Sequence, residues 1–354
     1  MAVDPTYPLF PIASILSSVT LLLVLMTSFI RQSWNLGVIF LCFWLFWENI
    51  TNAASSIIWS DNADLKLYVY CDITSHLQIF GYVLRPMATL IITRRLYLIA
   101  SLQSVAPPSK IARRWDIAIE WTLGLIVPLL VAGPLYFINQ TARFTIREGL
   151  GCSTATEISV FATLSLSVWN VTLPLISIIF YYPRIMYTYY RQSQDINSFL
   201  SSNRSISRTN YFRILALASV DVLFTLPIGI VDLTLSMVAS VAPPNWFPFF
   251  PGWSSIHYRW DPVSVPYWER QVAGTASLAD DYIAIWTPTI LAFVIFGLFG
   301  LTSEARASYW RVIFRVGSWL GWKPTLRNGR AESLGNIEFG GRPQDASEFD
   351  LEIG

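Results

Sequence analysis

Seven apolar runs divide the chain: Leu9–Ile30, Leu36–Ile58, Ile73–Tyr97, Ile117–Ile138, Ile158–Tyr181, Ile214–Ala239 and Tyr282–Leu301. Each is close to the ~20 residues that a helix needs to cross the hydrocarbon of a bilayer. The pattern predicts an all-α membrane protein, a seven-transmembrane helix bundle. Pro86, Pro128, Pro174, Pro227 and Pro288 fall inside these runs. In water they would argue against helix; in a bundle, neighbouring groups re-satisfy the freed carbonyls. The first run lacks a basic flank and a small-residue cleavage site, so it reads as span 1. The arm Met1–Pro8 reads as too short to fold. The longest external segment, Ser240–Asp280, is rich in aromatic residues and proline.

Composition agrees with the pattern. The 354 residues are 53% hydrophobic and 13% charged, with 15 tryptophans. Soluble domains carry about 25% charged residues, so half that charge cannot cover a soluble surface of this size. The net charge of +1 implies no polyanionic partner, and no nucleic acid. Position matters more than total. With the N-terminus outside, 18 of the 24 basic residues fall on the cytoplasmic side. Lys66, Arg143, Arg147, Arg259 and Arg270 fall outside, and Arg85 falls within the membrane. Cytoplasmic loops carry the Lys and Arg excess, which sets this orientation. Residues 1–303 are then the bundle. Residues 304–322 read as an amphipathic helix on the inner surface, with arginines towards headgroups and aromatics inward. Residues 323–354, dominated by Gly and acidic residues, read as a disordered cytoplasmic tail.

Arg85 needs a partner. Nine residues above Arg94, at ~1.5 Å rise, it lies about 13 Å into the bilayer. An ionised group there must face the bundle and pair. By the same rise Asp221 in span 6 lies about 12 Å up, and Glu48 in span 2 about 18 Å up. Depth favours a charge pair of Arg85 with Asp221, with Glu48 able to share. The alternatives are a static tie, or snorkelling towards inner water.

The outer end gathers a different chemistry. Asp72, His76 and Ile79 follow helical spacing at the top of span 3. Asp232, Asp280 and Asp281 stand near the tops of spans 6 and 7, and Trp253 and Trp260 lie in the aromatic loop. An apolar mouth with a few acids suits an amphiphilic ligand; an interfacial aromatic belt explains part of the same set. Cys71 and Cys152 both face an oxidising compartment, either as a tie of loop to helix or as two free thiols. Asn139-Gln140-Thr141 is an external glycosylation sequon close to the membrane.

Catalysis finds no support. Two histidines, His76 and His257, are too few for a multi-His metal cluster, so no metal and no cofactor are expected. No phosphate loop or nucleophile elbow is present. Span 7 holds no Lys, which excludes a retinal Schiff base.

Several stretches resemble the fungal lipopeptide mating-pheromone receptors of the a-factor receptor type, class D of the G-protein-coupled receptors. They are "IIWSD" (Ile57–Asp61), "CDIT" (Cys71–Thr74), "RRLYLI" (Arg94–Ile99), "RFTIREGLGC" (Arg143–Cys152), "SRTNYFRILALA" (Ser207–Ala218), "WDP" (Trp260–Pro262) and "FVIFGLFGLTSEARASYW" (Phe293–Trp310). The resemblance implies a plasma-membrane, multi-pass receptor for a farnesylated peptide pheromone, activating a heterotrimeric G protein. Arg94, Arg95, Arg204, Arg208 and Arg213 are then expected to meet the Gα subunit. The expected partners are the prenylated peptide, the G protein, membrane lipids and, as an option, a second copy of the chain. The chief rival is a seven-span transporter of a small solute. It would want a continuous polar path and symmetry between halves, and spans 1, 4 and 5 show little of either.

Overall fold

In spans 1 and 2 the apolar pattern and the helices coincide almost residue for residue. The computed structural model describes residues 4–31, 35–101, 110–157, 159–191, 208–241, 248–302, 305–307 and 309. Helix α1 is Leu9–Arg31, α2 Leu36–Ile58 and α3 Tyr68–Ser101. Helix α4 is Lys110–Asn139 and α6 Arg208–Val241. Helix α5, residues 160–191, breaks at Val168, where its two parts bend by 46°. Between α6 and the last long helix, α7 is Trp253–Ile256 and α8 Tyr267–Val272; that last helix, α9, covers residues 275–300.

Five of these helices, α1, α2, α4, α6 and α9, are long and apolar enough to cross a membrane, and α5 makes a sixth if its bent halves count as one span. Helix α3 has the length, at 34 residues, about 51 Å at the usual rise. It is not apolar enough throughout, because it carries Arg85 at mid-helix and polar residues at both ends. Several helices outrun their apolar runs: α3 starts at Tyr68 and α4 at Lys110. Hydropathy marks only the part in hydrocarbon, whereas backbone hydrogen bonding continues into water.

Some prolines leave a local signature, although Pro86, Pro227 and Pro288 sit in regular α-helix and the π turns at Thr163–Ser167 and Phe296–Gly300 contain no proline. The helix widens to π geometry at Thr122–Ile126 and Val131–Leu135, around Pro128 and Pro134, and at Ser177–Tyr181 after Pro174. A proline ring displaces the carbonyl four residues back, and an inserted residue absorbs that clash.

The all-α expectation needs one amendment. Three short strands, β1 Thr145–Arg147, β2 Gly151–Ser153 and β3 Val263–Val265, form a sheet in the order β2-β1-β3. Strands β1 and β2 are an antiparallel hairpin, Ile146 opposite Cys152; β3 joins β1 in parallel, Thr145 opposite Val263. Three-residue strands carry too few positions for an alternating pattern to show.

The core has three parts. One gathers Leu21, Leu41, Leu45, Ala88, Ile92, Leu217 and Ile295 from α1, α2, α3, α6 and α9. A second joins α3 to α4 and α5 through Val83, Met87, Val131, Tyr136 and Leu173. The third lies beneath the sheet: Trp59, Cys71, Phe144, Ile146 and Cys152. The compact unit that holds them is Met1–Tyr309. The expected surface helix at 304–322 and the tail at 323–354 lie, but for Ala305–Ala307 and Tyr309, outside the described residues.

Candidate functional site

A lid of loops covers one end of the bundle, and four separated stretches of chain build it. Trp59 is fully buried, its indole Nε1 donating to the Asp64 carbonyl at 2.9 Å. Its own carbonyl accepts from the Gly149 amide at 2.8 Å in the hairpin turn. Gly151 has φ +85°, and a Cβ there would lie 2.6 Å from the Ser55 side chain and 2.9 Å from the Trp59 ring. Only glycine combines that backbone with that approach. A disulfide joins Cys71 in α3 to Cys152 in β2, with Cα atoms 5.2 Å apart. Gln78 adds a hydrogen bond to the Cys152 carbonyl at 3.0 Å.

The acids expected to form an open mouth are held by arginines. Asp72 accepts from Arg143 through both oxygens, Nε to Oδ1 at 2.9 Å and Nη2 to Oδ2 at 2.5 Å. That hydrogen bonding holds the Arg143 guanidinium above its ordinary pKa. Asp281 is buried and binds two arginines, Arg147 and Arg270, the latter at 3.0 Å. Arg270, 4% exposed, also donates to the Glu148 carbonyl at 2.9 Å. The Glu148 carboxylate in turn accepts from the Tyr267 amide at 2.8 Å. The arm before α1 belongs to this lid: buried Asp4 accepts from the Tyr282 hydroxyl of α9 at 2.9 Å. Asp280 directly precedes Asp281 in α9, and the Asp232 side chain lies outside the described residues.

His76 and Ile79 pack towards α4 and α5. The His76 ring meets Tyr136 of α4 edge-on at 5.0 Å. Ile79 is 8% exposed within the α3–α4–α5 core. Trp253 and Trp260 lie at the rim of the lid against Phe137 of α4. Asn139 is fully buried; its amide nitrogen donates to the Leu135 carbonyl and to Ser165 at 2.8 and 3.0 Å. A glycan on that nitrogen would replace one of its two hydrogens and displace at least one of these bonds, and in this fold the side chain is closed off from solvent.

Below the lid runs a polar column. Asn49 of α2 accepts from Thr289 of α9 at 2.8 Å, and Thr289 shares a 3.2 Å hydrogen bond with Ser14 of α1. One layer further in, Arg85 of α3 pairs with Glu48 of α2 at 3.7 Å, both largely buried. Gly81 makes room: a Cβ there would lie 2.7 Å from Glu48 Oε2. Among the described side chains Glu48, the acid expected to be able to share the charge, is the partner of Arg85; the expected pair with Asp221 lies outside the described residues. Helical side chains tilt towards their own N-terminus. Helices α2 and α3 run antiparallel, so Glu48 and Arg85 lean towards each other, and Arg85 Nε donates to the Gly81 carbonyl one turn back at 3.3 Å.

At the opposite end, Arg94 is ion-paired with Asp116, and Arg95 with Glu120 at 3.8 Å, both acids in α4. Arg204 lies outside the described residues, as do the side chains of Arg208 and Arg213. No cluster of three His, Cys, Asp or Glu side chains able to hold a metal occurs among the described residues.

Sequence reasoning missed the arginine partners. Arg143, Arg147 and Arg270 read only as orientation charges. Arg143 is 71 residues from Asp72, and Arg147 is 134 from Asp281; no spacing rule spans such separations.

Comparison with known proteins adds an independent line. The sequence profile of the family described as Pheromone A receptor matches residues 9–317. The Pheromone B alpha 2 receptor of Schizophyllum commune is 30% identical over 310 residues, covering 86% of this chain and 46% of that protein. Pheromone receptor 1 of Ustilago hordei is 26% identical over 287 residues, covering 80% and 77%. The Pheromone a factor receptor of Saccharomyces cerevisiae is 22% identical over 281 residues, covering 78% and 55%. The chain spans about half the length of the Schizophyllum receptors it matches.

Proposed function

The chain belongs to the Pheromone A receptor family, a family of receptors and not of enzymes, and from that premise we propose that it is a seven-span receptor for a prenylated peptide, coupled to a heterotrimeric G protein. The multi-pass membrane character rests on its long apolar helices. In this reading α3 also crosses and brings the number of spans to seven, the N-terminus is outside, and the protein works at the plasma membrane. Residues 1–303 are the receptor bundle, 304–322 an inner-surface helix and 323–354 a cytoplasmic tail.

The observation that carries the reading is the convergence of the family's stretches on one lid above a polar column. Asp72, His76, Ile79, Asp232, Asp280 and Asp281 are the proposed ligand contacts. Because Asp72 and Asp281 are already neutralised by arginine, the ligand meets ion pairs, not bare carboxylates. A peptide can exchange hydrogen bonds with such pairs without bringing a cation of its own. Its differential affinity for two arrangements of lid and column shifts their populations. Arg85, with Glu48 and Asp221, is the intramembrane charge set that such a shift would rearrange. At the inner end Arg94, Arg95, Arg204, Arg208 and Arg213 are the proposed contacts of the Gα subunit. For Arg94 and Arg95, Gα competes with Asp116 and Glu120.

The test is expression in cells carrying a G-protein reporter, challenged with prenylated and unprenylated peptide. A response that requires the prenyl group supports the reading. Uptake of a labelled solute without signalling would replace it with the transporter.

A further inference from the structure

The segment joining α6 to α9 takes a path its ends do not require. Helices α6 and α9 pack against each other, yet the chain between them visits the ends of α5 and α4. Pro248 and Phe249 accept backbone hydrogen bonds from Val160 and Phe161 at the start of α5, at 3.2 and 3.0 Å. The chain then lays α7 against Phe137, in the last turn of α4, before β3 returns it to the lid.

At α4 the segment forms a stack of rings. His257 lies between Trp253, with centroids 4.0 Å apart, and Trp260, 5.4 Å apart, both nearly parallel to it. Phe137 meets all three rings at 5.4–5.8 Å. The His257 nitrogens turn inward, Nε2 lying 3.1 Å from the Phe137 carbonyl oxygen and Nδ1 3.2 Å from that of Trp253. Ring surface is what remains outside: Trp253 is 52% exposed, Trp260 39%, Phe137 43% and Tyr258 81%.

Phe137 indicates what covers this surface. Ile126, Leu129 and Leu130 share its side of α4 and are exposed, and a Cβ on Gly133 in the same row would meet nothing within 4 Å. On a membrane-spanning helix such a face meets acyl chains. The stack begins where that face ends, at the depth where hydrocarbon gives way to headgroups. Indole and phenol rings favour that depth, because one edge is apolar and the other polar. Arg259, exposed between Tyr258 and Trp260, supplies a cation for headgroup phosphate.

We propose that residues 253–260, seated on Phe137, are a foot set into the outer leaflet of the bilayer. The foot moors the long external segment to lipid, so Trp253 and Trp260 contact headgroups and not the ligand. This goes beyond the receptor reading and rests on it for two points, that α4 crosses the membrane and that the lid faces outside.

The test uses the whole protein with Tyr258→Cys, labelled with a thiol-reactive fluorophore in phosphatidylcholine nanodiscs. Cys42 is 1% exposed and the other two cysteines are disulfide-bonded, so the label goes to the new thiol. Asp61→Cys, exposed in the turn after α2, is the reference. A nitroxide near the headgroup end of the acyl chain should quench the Tyr258→Cys label about threefold more strongly than the reference, with aqueous iodide showing the reverse order. Adding Trp253→Ala and Trp260→Ala should bring the two labels together, while an intact disulfide reports a folded lid. If that variant does not fold, the comparison of the two labels decides alone. Equal iodide access at both positions in the ligand-free protein overturns the proposal. So does protection that appears only with prenylated peptide, which assigns the surface to ligand. Protection that appears only at high receptor density assigns it to a second copy, and also overturns the proposal.

Discussion

Glu48, Arg85 and Gly81 act as one unit. A buried charge that loses its partner costs about 3–5 kcal/mol. Glu48→Ala and Arg85→Ala should therefore each lower stability by roughly that amount, and the double variant by clearly less than the sum. A double-mutant cycle of thermal unfolding in detergent reads this; additive losses would show that the two side chains do not interact. Gly81→Ala should destabilise, because its Cβ would meet Glu48 Oε2 at 2.7 Å. Shortening the acid by Glu48→Asp should recover part of that loss, and absence of recovery would point to a clash elsewhere. That Arg85 needs a buried partner was legible, since a guanidinium in an apolar run admits few alternatives. Glu48 was legible as an acid able to share the charge; its contact with Arg85 depends on the lean of two antiparallel helices, which the sequence does not show.

At the scale of elements, the lid and the α3–α4 junction make separate predictions. The Cys71–Cys152 disulfide closes a separation of 81 residues, for which about 2–5 kcal/mol is typical. Cys71→Ser and Cys152→Ser should each loosen the hairpin and depress the peptide response more than surface expression. The double variant should resemble either single, and equal response from all three at normal expression would remove the lid from ligand recognition. At the other end Asp116→Asn frees Arg94 from its ion pair. If Gα competes for that arginine, reporter activity without peptide should rise severalfold; unchanged basal activity would mean the pair does not restrain coupling. The long helices were readable because burial in hydrocarbon imposes a run of apolar residues. The sheet was not, because three-residue strands leave no period to detect, and their pairing joins segments over a hundred residues apart. The ends of α3 and α4 were misplaced for the converse reason: helices persist where hydropathy stops.

For the molecule as a whole, orientation carries the functional assignment. A tag after Gly354 should be reached by antibody only in permeabilised cells, and one before Met1 in intact cells; the opposite pattern would place the lid in the cytosol and end the receptor reading. The solvent by itself settled much in advance. A chain that is 53% hydrophobic and 13% charged puts its long helices in a bilayer, since lipid rewards apolar runs; the side that the basic residues favour is what the tags read out. These are one-dimensional constraints, and they are written along the chain. Tertiary structure alone decided the pairings: Arg85 with Glu48, Asp281 with Arg147 and Arg270, and the aromatic segment with the rim of α4. Each joins residues whose separation carries no signal, because Coulombic attraction and ring contact depend on distance in space, which a string of residues does not contain.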